Sequence, residues 1–144
     1  MPVADVFISY KSESTLDLVK NVICPAIEAA DFTCWYARRD SKHGAYGGNI
    51  KRAIEQCRIF LLVLDQAALH SAHIKSETAL AFRRFDNHEP ITLLPFRVDH
   101  CNLRDDDDLD YYLICQQIVD GCPPDAQHIQ DLIDRISEIM LASS

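Results

Sequence analysis

Five short apolar segments, rich in β-branched and aromatic residues, recur along the chain and predict the strands of a β-sheet. They span residues 5–10, 32–36, 59–64, 91–96 and 112–119. The segments 59–64 and 91–96 are apolar at nearly every position, which is typical of strands covered on both faces. Because helical patterns alternate with these strands, the sequence predicts an α/β fold with a five-stranded parallel, doubly wound (flavodoxin-like) sheet flanked by helices.

Apolar residues spaced three or four positions apart predict the helices. Their stripes are Leu16, Val19, Ile23, Ile27 and Ala30; Ile50, Ala53, Ile54 and Cys57; Ile74, Thr78, Ala81, Phe82 and Phe85; and Ile129, Leu132, Ile133, Ile136 and Met140. Pro25 falls inside the first stripe and predicts a kink or a break there. Asn49 and Ser71 precede the second and third stripes, where they are suited to cap the helices.

Length and composition favour a single globular domain, since the chain has 144 residues, of which 48% are hydrophobic and 25% charged. The formal net charge of −8 argues against nucleic acid or an anionic membrane as the partner of the surface as a whole. The chain starts without a signal-peptide pattern, and its longest apolar run is Ile59–Leu64. We therefore expect no membrane span and a cytoplasmic location.

The six cysteines form no CxxC pair. Four of them lie in apolar segments, which predicts reduced, buried thiols at Cys24, Cys34, Cys57 and Cys115.

No metal site is predicted. The histidines that follow the strands, His70, His73 and His100, do not form a spaced ligand set. The run Asp105–Asp108 lacks the glycine and ligand spacing of a calcium loop, so we expect a solvated surface loop there.

Ligands of open α/β sheets bind beyond the carboxyl ends of the strands, so the residues that follow each strand are candidates for a site. These are residues 10–13, 35–48, 65–73 and 97–100. The connection 37–48, "ARRDSKHGAYGG", holds three glycines but neither a Walker A nor a GxGxxG sequence. A flexible surface loop is therefore favoured over a phosphate-binding loop.

One ionisable residue, Glu77, lies at the margin of an apolar helix face. At helical spacing it falls beside Ile74 and Ala81, one turn after His73. Because its helix starts at the ligand-binding edge of the sheet, the carboxylate is either a partly buried structural acceptor or a site residue. Periodicity alone favours the structural role.

Several motifs, in this order, resemble the Toll/interleukin-1 receptor (TIR) domain family, in particular its bacterial members. "DVFISYKSES" is similar to the first strand and the loop after it. "CWYARRD" is similar to the start of the family's BB loop, with Arg38 in place of the usual proline. "SAHIKSE" is similar to the S-x-W-x-x-x-E motif of the third helix, with His73 in place of the usual aromatic residue. The resemblance is strongest over residues 4–96.

The resemblance implies an NAD+ glycohydrolase that cleaves the nicotinamide–ribose bond, with Glu77 as the catalytic residue. NAD+ is then the substrate, and no cofactor is expected. Substrate contacts are implied for Tyr10, Lys11, Trp35, Arg39, Asp40, Ser71 and His73. The residues themselves leave a buried strand-end role open for Trp35 and a helix-capping role open for Ser71. Contacts between assembled domains are implied for the BB-loop residues Arg38, Ser41, Lys42, His43, Gly44, Ala45, Tyr46, Gly47 and Gly48.

The family also implies assembly into a homo-oligomer or filament on activation, a role in bacterial antiphage defence, and release of ADP-ribose or cyclic ADP-ribose. We expect residues 1–144 to form a single TIR domain, the N-terminal effector module of a protein with a cyclic-nucleotide sensor domain. A non-catalytic TIR–TIR scaffold is the alternative. A response regulator is disfavoured, because Tyr10 and Lys11 follow the first strand where that class has acidic residues.

Overall fold

The computed structural model describes residues 4–37 and 46–142, which contain a five-stranded, all-parallel sheet. Its strands are β1 (Val6–Ser9), β2 (Cys34–Trp35), β3 (Ile59–Leu64), β4 (Thr92–Arg97) and β5 (Val119–Asp120). Their order across the sheet is β2-β1-β3-β4-β5. The predicted doubly wound α/β fold is confirmed.

Helices cover both faces of the sheet. They are α1 (Ser12–Leu18), α2 (Cys24–Ala29), α3 (Tyr46–Gln56), α4 (Gln66–Leu69), α5 (Ala72–Asp86), α6 (Asp107–Leu113) and α7 (Ala126–Ala142). A π-helical turn, Val19–Ile23, joins α1 to α2 directly before Pro25, so the predicted irregularity takes this form. A 3₁₀ turn, Leu103–Asp105, precedes α6. Among the described residues, no helix combines the length and the apolar character that crossing a membrane requires.

The sheet separates two apolar cores, because alternate side chains of a strand point to opposite faces. On one face Phe7, Phe60 and Leu62 pack with residues of α3, α5 and α6. On the other, Ile8 and Leu61 pack with residues of α2 and α7. All six residues of β3 are fully buried, so this strand is the centre of both cores.

The predicted strand 112–119 is wrong over most of its length. The chain is helical in α6 up to Leu113, and only Val119–Asp120 pairs with β4. Asp106 starts this helix, since its carboxylate accepts a hydrogen bond from the Leu109 backbone N–H at 3.0 Å. Two further aspartates of the run occupy the first turn, where the helix dipole favours negative charge. The run is therefore a helix start, and the predicted solvated loop is corrected.

Helix α3 begins at Tyr46, earlier than predicted, so Asn49 lies inside the helix and does not cap it. Gly48 is also helical, and a Cβ added there would meet nothing within 4 Å. A helical glycine costs about 1 kcal/mol relative to alanine. Burial of Ala53 and Ile54 further along α3 offsets that cost. The glycines of the segment give no sign of this burial, so the helix start was predicted too late.

The cysteine prediction holds for Cys57, which is a buried free thiol whose pKa burial raises to about 12. It is wrong for the other three residues. Cys115 is exposed. Cys24 and Cys34 are joined by a disulfide, because α2 packs against the edge strand β2.

The buried stripe of α5 differs from the prediction at its end. Ile74, Thr78 and Ala81 are buried as predicted, whereas Phe85 is 37% exposed. Arg84 is buried in its place. A charged residue is therefore part of the interface between α5 and α3.

Candidate functional site

A cavity of about 200 Å³ lies at the carboxyl edge of the sheet, where β1 leads into α1 and where α5 begins. This is the edge at which open α/β sheets bind ligands. The described residues that line it are Phe7, Ile8, Tyr10, Lys11, Ser12, Glu13, Ala37, Ser71, His73, Ile74 and Glu77. The structure therefore brings together residues 10–13 and the end of 65–73, whereas residues 97–100 are not among the lining residues.

Helix α5 carries Glu77 into this cavity. Ser71 caps the helix by accepting a hydrogen bond from the Ile74 backbone N–H at 3.3 Å. The buried hydroxyl of Ser9, the last residue of β1, donates a hydrogen bond to Glu77 Oε1 at 2.7 Å. Helix α5 and the end of strand β1 together fix the position of the Glu77 carboxyl group.

The surroundings of Glu77 shift its ionisation toward neutral pH. Burial raises the pKa of Glu77 to about 7, and the hydrogen bond from Ser9 opposes that shift by favouring the ionised form. Near neutral pH the carboxyl group therefore interconverts between a carboxylate and an acid. A carboxyl group with a perturbed pKa in a cleft is a typical feature of a functional site.

The charge of the cavity comes from a few side chains near its mouth. Lys11 is the one lysine or arginine among the described lining residues. Its Nζ lies 3.3 Å from a carboxylate oxygen of Glu13, and both side chains are partly or largely exposed, 33% and 74%. Such an exposed pair is worth at most about 1 kcal/mol, so Lys11 can turn toward an anionic ligand.

The other predicted contact residues that line the cavity are Tyr10, Ser71 and His73. Tyr10 is half-buried and packs edge-on against Tyr36, with ring centroids 6.1 Å apart. His73 is exposed on the first turn of α5. Ser71 both lines the cavity and caps α5. The predicted helix cap at Ser71 is confirmed.

Trp35 does not line the cavity. It is 6% exposed, and its ring stacks on Phe7 with centroids 5.2 Å apart and planes 15° from parallel. The structure therefore shows the buried strand-end role that the residues left open for Trp35, and its contact with substrate stays a prediction.

The predicted BB-loop contacts fall largely outside the described residues. This applies to Arg38, Ser41, Lys42, His43, Gly44 and Ala45. The predicted substrate contacts Arg39 and Asp40 also lie outside the described residues. Tyr46, Gly47 and Gly48 form the start of α3. Ala37, directly before the loop, lines the cavity.

Sequence reasoning missed Ser9, although it is the residue that contacts Glu77. The available signal was a hydroxyl at the last position of an otherwise apolar strand, "VFIS". A polar side chain buried there needs a hydrogen-bonding partner. No local pattern identifies that partner, which lies 68 positions away along the chain.

The three histidines considered as metal ligands, His70, His73 and His100, each have different neighbours in the structure. His70 lies 3.2 Å from the amide of Gln66, and His100 lies 3.7 Å from the sulfur of Cys122. His73 is at the cavity.

A larger groove of about 770 Å³ lies between α2 and α7. It is lined mainly by apolar and amide side chains, including Val22, Ala26 and Ile133. It lies on a helical face of the sheet, and Asp125 is its one titratable lining residue among those described. The smaller cavity is thus the candidate for chemistry.

The sheet topology and the carboxylate cavity at its edge define a doubly wound α/β domain with a candidate ligand site. The sequence profile of the TIR domain family matches residues 6–133. The chain therefore belongs to the TIR domain family. None of the curated proteins compared with the chain matches it.

Solved TIR structures share this fold. The TIR domain of the Toll-related receptor TRR-2 from Hydra magnipapillata has a TM-score of 0.73 at 20% identity, over 94% of this chain and 99% of that one. A metazoan TIR-STING receptor from C. gigas, solved with 2',3'-cGAMP, has a TM-score of 0.74 at 25% identity, over 94% of this chain and 40% of that one. TIR domains of the activated Roq1 resistosome have a TM-score of 0.61 at 14% identity, over 94% of this chain and 84% of that one.

Proposed function

We propose that this TIR domain is an NAD+ glycohydrolase in which Glu77 promotes cleavage of the nicotinamide–ribose bond. The observation that carries the proposal is the position of Glu77, in a cavity at the carboxyl edge of the sheet and bonded to Ser9 at 2.7 Å. This carboxylate also falls at the glutamate of the family's third-helix motif. A carboxylate with only a structural role would not need to face a cavity.

The chemistry suits a single carboxylate. When the bond between C1′ of the ribose and the nicotinamide nitrogen breaks, its electron pair stays on the nitrogen and cancels the positive charge there. The leaving group is then neutral and needs no general acid, in contrast to the leaving group of an ordinary glycosidase. Positive charge develops on the ribose, and the Glu77 carboxylate stabilises it electrostatically in a partly dehydrated cavity.

The size of the cavity suggests how the substrate would bind. Pockets for drug-sized ligands usually measure about 300–1,000 Å³, so a cavity of about 200 Å³ suits only part of NAD+. We place the nicotinamide and its ribose near Glu77 and the pyrophosphate toward the cation of Lys11. The adenosine part then lies outside the described cavity, and we propose that residues 38–48 of a neighbouring domain cover it.

The proposal therefore includes activation by assembly. We infer that copies of the domain come together as a homo-oligomer or filament and complete one another's substrate sites. The chain spans about two fifths of the length of the C. gigas receptor, whose TIR region is joined to a STING region. By analogy, we propose that this domain is the effector of a bacterial antiphage defence protein whose cyclic-nucleotide sensor triggers assembly.

Incubating the domain with NAD+ tests the proposal, both dispersed and clustered on a multivalent support, with the products separated by chromatography. We expect nicotinamide from the clustered sample, together with either ADP-ribose or a cyclic ADP-ribose. Absence of nicotinamide from clustered domain would contradict the proposal. The second product decides between hydrolysis and cyclisation.

Replacing Ser9 by alanine is expected to move the pH dependence of NAD+ cleavage upward. The Ser9 hydroxyl favours the ionised form of Glu77, so its loss raises the pKa of that carboxyl group further. A hydrogen bond to a charged group is worth about 1.5–3 kcal/mol, which corresponds to a shift of about one pH unit or more. Initial rates measured from pH 5 to 9 check this. A midpoint equal to that of the wild type would show that the bond does not control Glu77.

The alternative is a non-catalytic scaffold that acts by TIR–TIR contact through residues 37–48. It predicts that clustered domain leaves NAD+ intact, and that Glu77→Gln changes neither self-association nor partner binding. Sedimentation of the wild type and this variant, next to the NAD+ assay, separates the two functions.

A further inference from the structure

A second group of reactive side chains lies away from the proposed NAD+ site. Cys24, Glu28 and Cys34 bring two sulfur atoms and a carboxylate oxygen within 4.8 Å of one another. The proposed cleavage of NAD+ uses none of them. Cys24 and Glu28 both lie in α2, four positions apart, so their side chains are neighbours on one face of the helix. Cys34 reaches them from β2.

We propose that these three residues form a redox-gated zinc site, which binds Zn²⁺ when the Cys24–Cys34 disulfide is reduced. Thiolate sulfur and carboxylate oxygen are both ordinary zinc ligands in proteins. Three protein ligands leave a fourth tetrahedral position for water. The oxidised pair has no thiolate to offer, so the disulfide and the metal exclude each other.

The backbone geometry fits both states. The Cα atoms of Cys24 and Cys34 are 6.5 Å apart. Two Zn–S bonds of about 2.3 Å at a tetrahedral angle place the sulfurs about 3.8 Å apart. Side-chain rotation can open the pair to that separation while the backbone of α2 and β2 stays in place.

Burial and exposure are also distributed as a metal site requires. Cys24 and Cys34 are 1% and 5% exposed and belong to an apolar cluster that shields the two sulfurs from water. Glu28 is exposed and forms the open side by which an ion can enter. Two thiolates and one carboxylate carry a charge of −3, which Zn²⁺ reduces to −1. The buried sulfurs therefore gain a counter-charge when the metal binds.

The proposed steps balance. A cellular dithiol reductant gives two electrons and two protons to the disulfide, so that the S–S bond breaks, two thiols form, and the reductant becomes a disulfide. Zn²⁺ then displaces the two thiol protons to solvent as it binds the sulfurs. Oxidation of the pair reverses the sequence and releases the ion.

Cobalt(II) is the probe for this site, because cobalt–thiolate bonds absorb in the near ultraviolet. We expect the protein reduced with a phosphine to bind one Co²⁺ per chain with this absorption, and one equivalent of Zn²⁺ to remove it. The oxidised wild-type protein should show no such absorption. Cys24→Ser and Cys34→Ser should lose it, and the exposed substitution Glu28→Gln should weaken Co²⁺ binding at least about tenfold.

Cys122→Ser is the matched control, because Cys122 lies 3.7 Å from His100 Nε2 and these two side chains offer a competing pair of metal-ligand atoms. It should leave Co²⁺ binding unchanged, as should Cys115→Ser. The proposal is overturned if the reduced wild type shows no cobalt–thiolate absorption, or if the absorption is lost in Cys122→Ser. Unchanged affinity in Glu28→Gln would also overturn it, and circular dichroism of each variant verifies folding.

Discussion

Glu77→Gln is expected to lower the rate of nicotinamide release from NAD+ by at least about a hundredfold, with the fold intact. Removing one preorganised group that stabilises transition-state charge typically costs about 10²–10³ in rate. Glutamine has nearly the same shape and can still accept the hydrogen bond from Ser9 through its amide oxygen. What it lacks is the negative charge. Nicotinamide release by clustered protein measures the loss.

The same variant has a second expected effect, on stability. Burial makes the pKa of Glu77 about 7 in the folded protein, above its ordinary value of 4.5. Glu77 ionises in the unfolded chain at a lower pH than in the folded protein, so stability is lost as pH rises from about 4.5 to about 7, and the full cost applies above that range. We expect Glu77→Gln to raise the free energy of unfolding by about 1–3 kcal/mol at pH 8, with little change at pH 4.

Glu138→Gln is the matched control for charge, since Glu138 is an exposed glutamate on α7 that pairs with Arg135 at 3.3 Å. It should change neither rate nor stability appreciably. If Glu77→Gln instead lowers the free energy of unfolding at pH 8, the Glu77 carboxylate stabilises the fold. The expected destabilisation by its ionisation is then wrong.

Arg84→Met is expected to give the largest loss of stability, about 3–5 kcal/mol in the free energy of unfolding. Arg84 Nη1 donates hydrogen bonds to the carbonyls of Ile54 at 2.8 Å and Cys57 at 2.6 Å, and its Nε donates to Glu89 at 3.0 Å. The two carbonyls lie at the end of α3, where the helix itself supplies no donors. Methionine fills similar space but leaves them buried without this partner. Urea unfolding measures the difference.

Arg83→Met provides the comparison at the neighbouring position. Arg83 is exposed, so its substitution should stay within about 0.5 kcal/mol of the wild type. Equal effects of the two substitutions would show that the contacts of Arg84 with α3 do not stabilise the fold.

Local sequence patterns were sufficient to predict the features that depend on apolar periodicity and on helix capping. Alternation of apolar strands with helical stripes predicted the sheet, because burial on both faces requires continuous apolar strands such as Ile59–Leu64. The cap at Ser71 and the first three buried positions of α5, Ile74, Thr78 and Ala81, followed from spacing. Glu77 was singled out because it interrupts that face at the correct edge of the sheet.

The features that the sequence did not predict are long-range contacts. Ser9 meets Glu77 across two elements, and Cys24 meets Cys34 because α2 packs on β2. Arg84 is buried because helix-end carbonyls of α3 accept its hydrogen bonds, so a stripe based on hydrophobicity assigned that position to Phe85 instead. In each case the partner lies elsewhere in the chain, and only the packed structure brings it near.

The pH dependence of nicotinamide release by clustered wild-type domain, between pH 5 and 9, tests the proposed role of Glu77 most directly. Only the ionised carboxylate can stabilise positive charge on the ribose, and its pKa is about 7. The rate is predicted to be constant above that pH and to fall about tenfold per unit well below it. A rate that does not change between pH 5 and 9, or no nicotinamide at any pH, would contradict the role of Glu77.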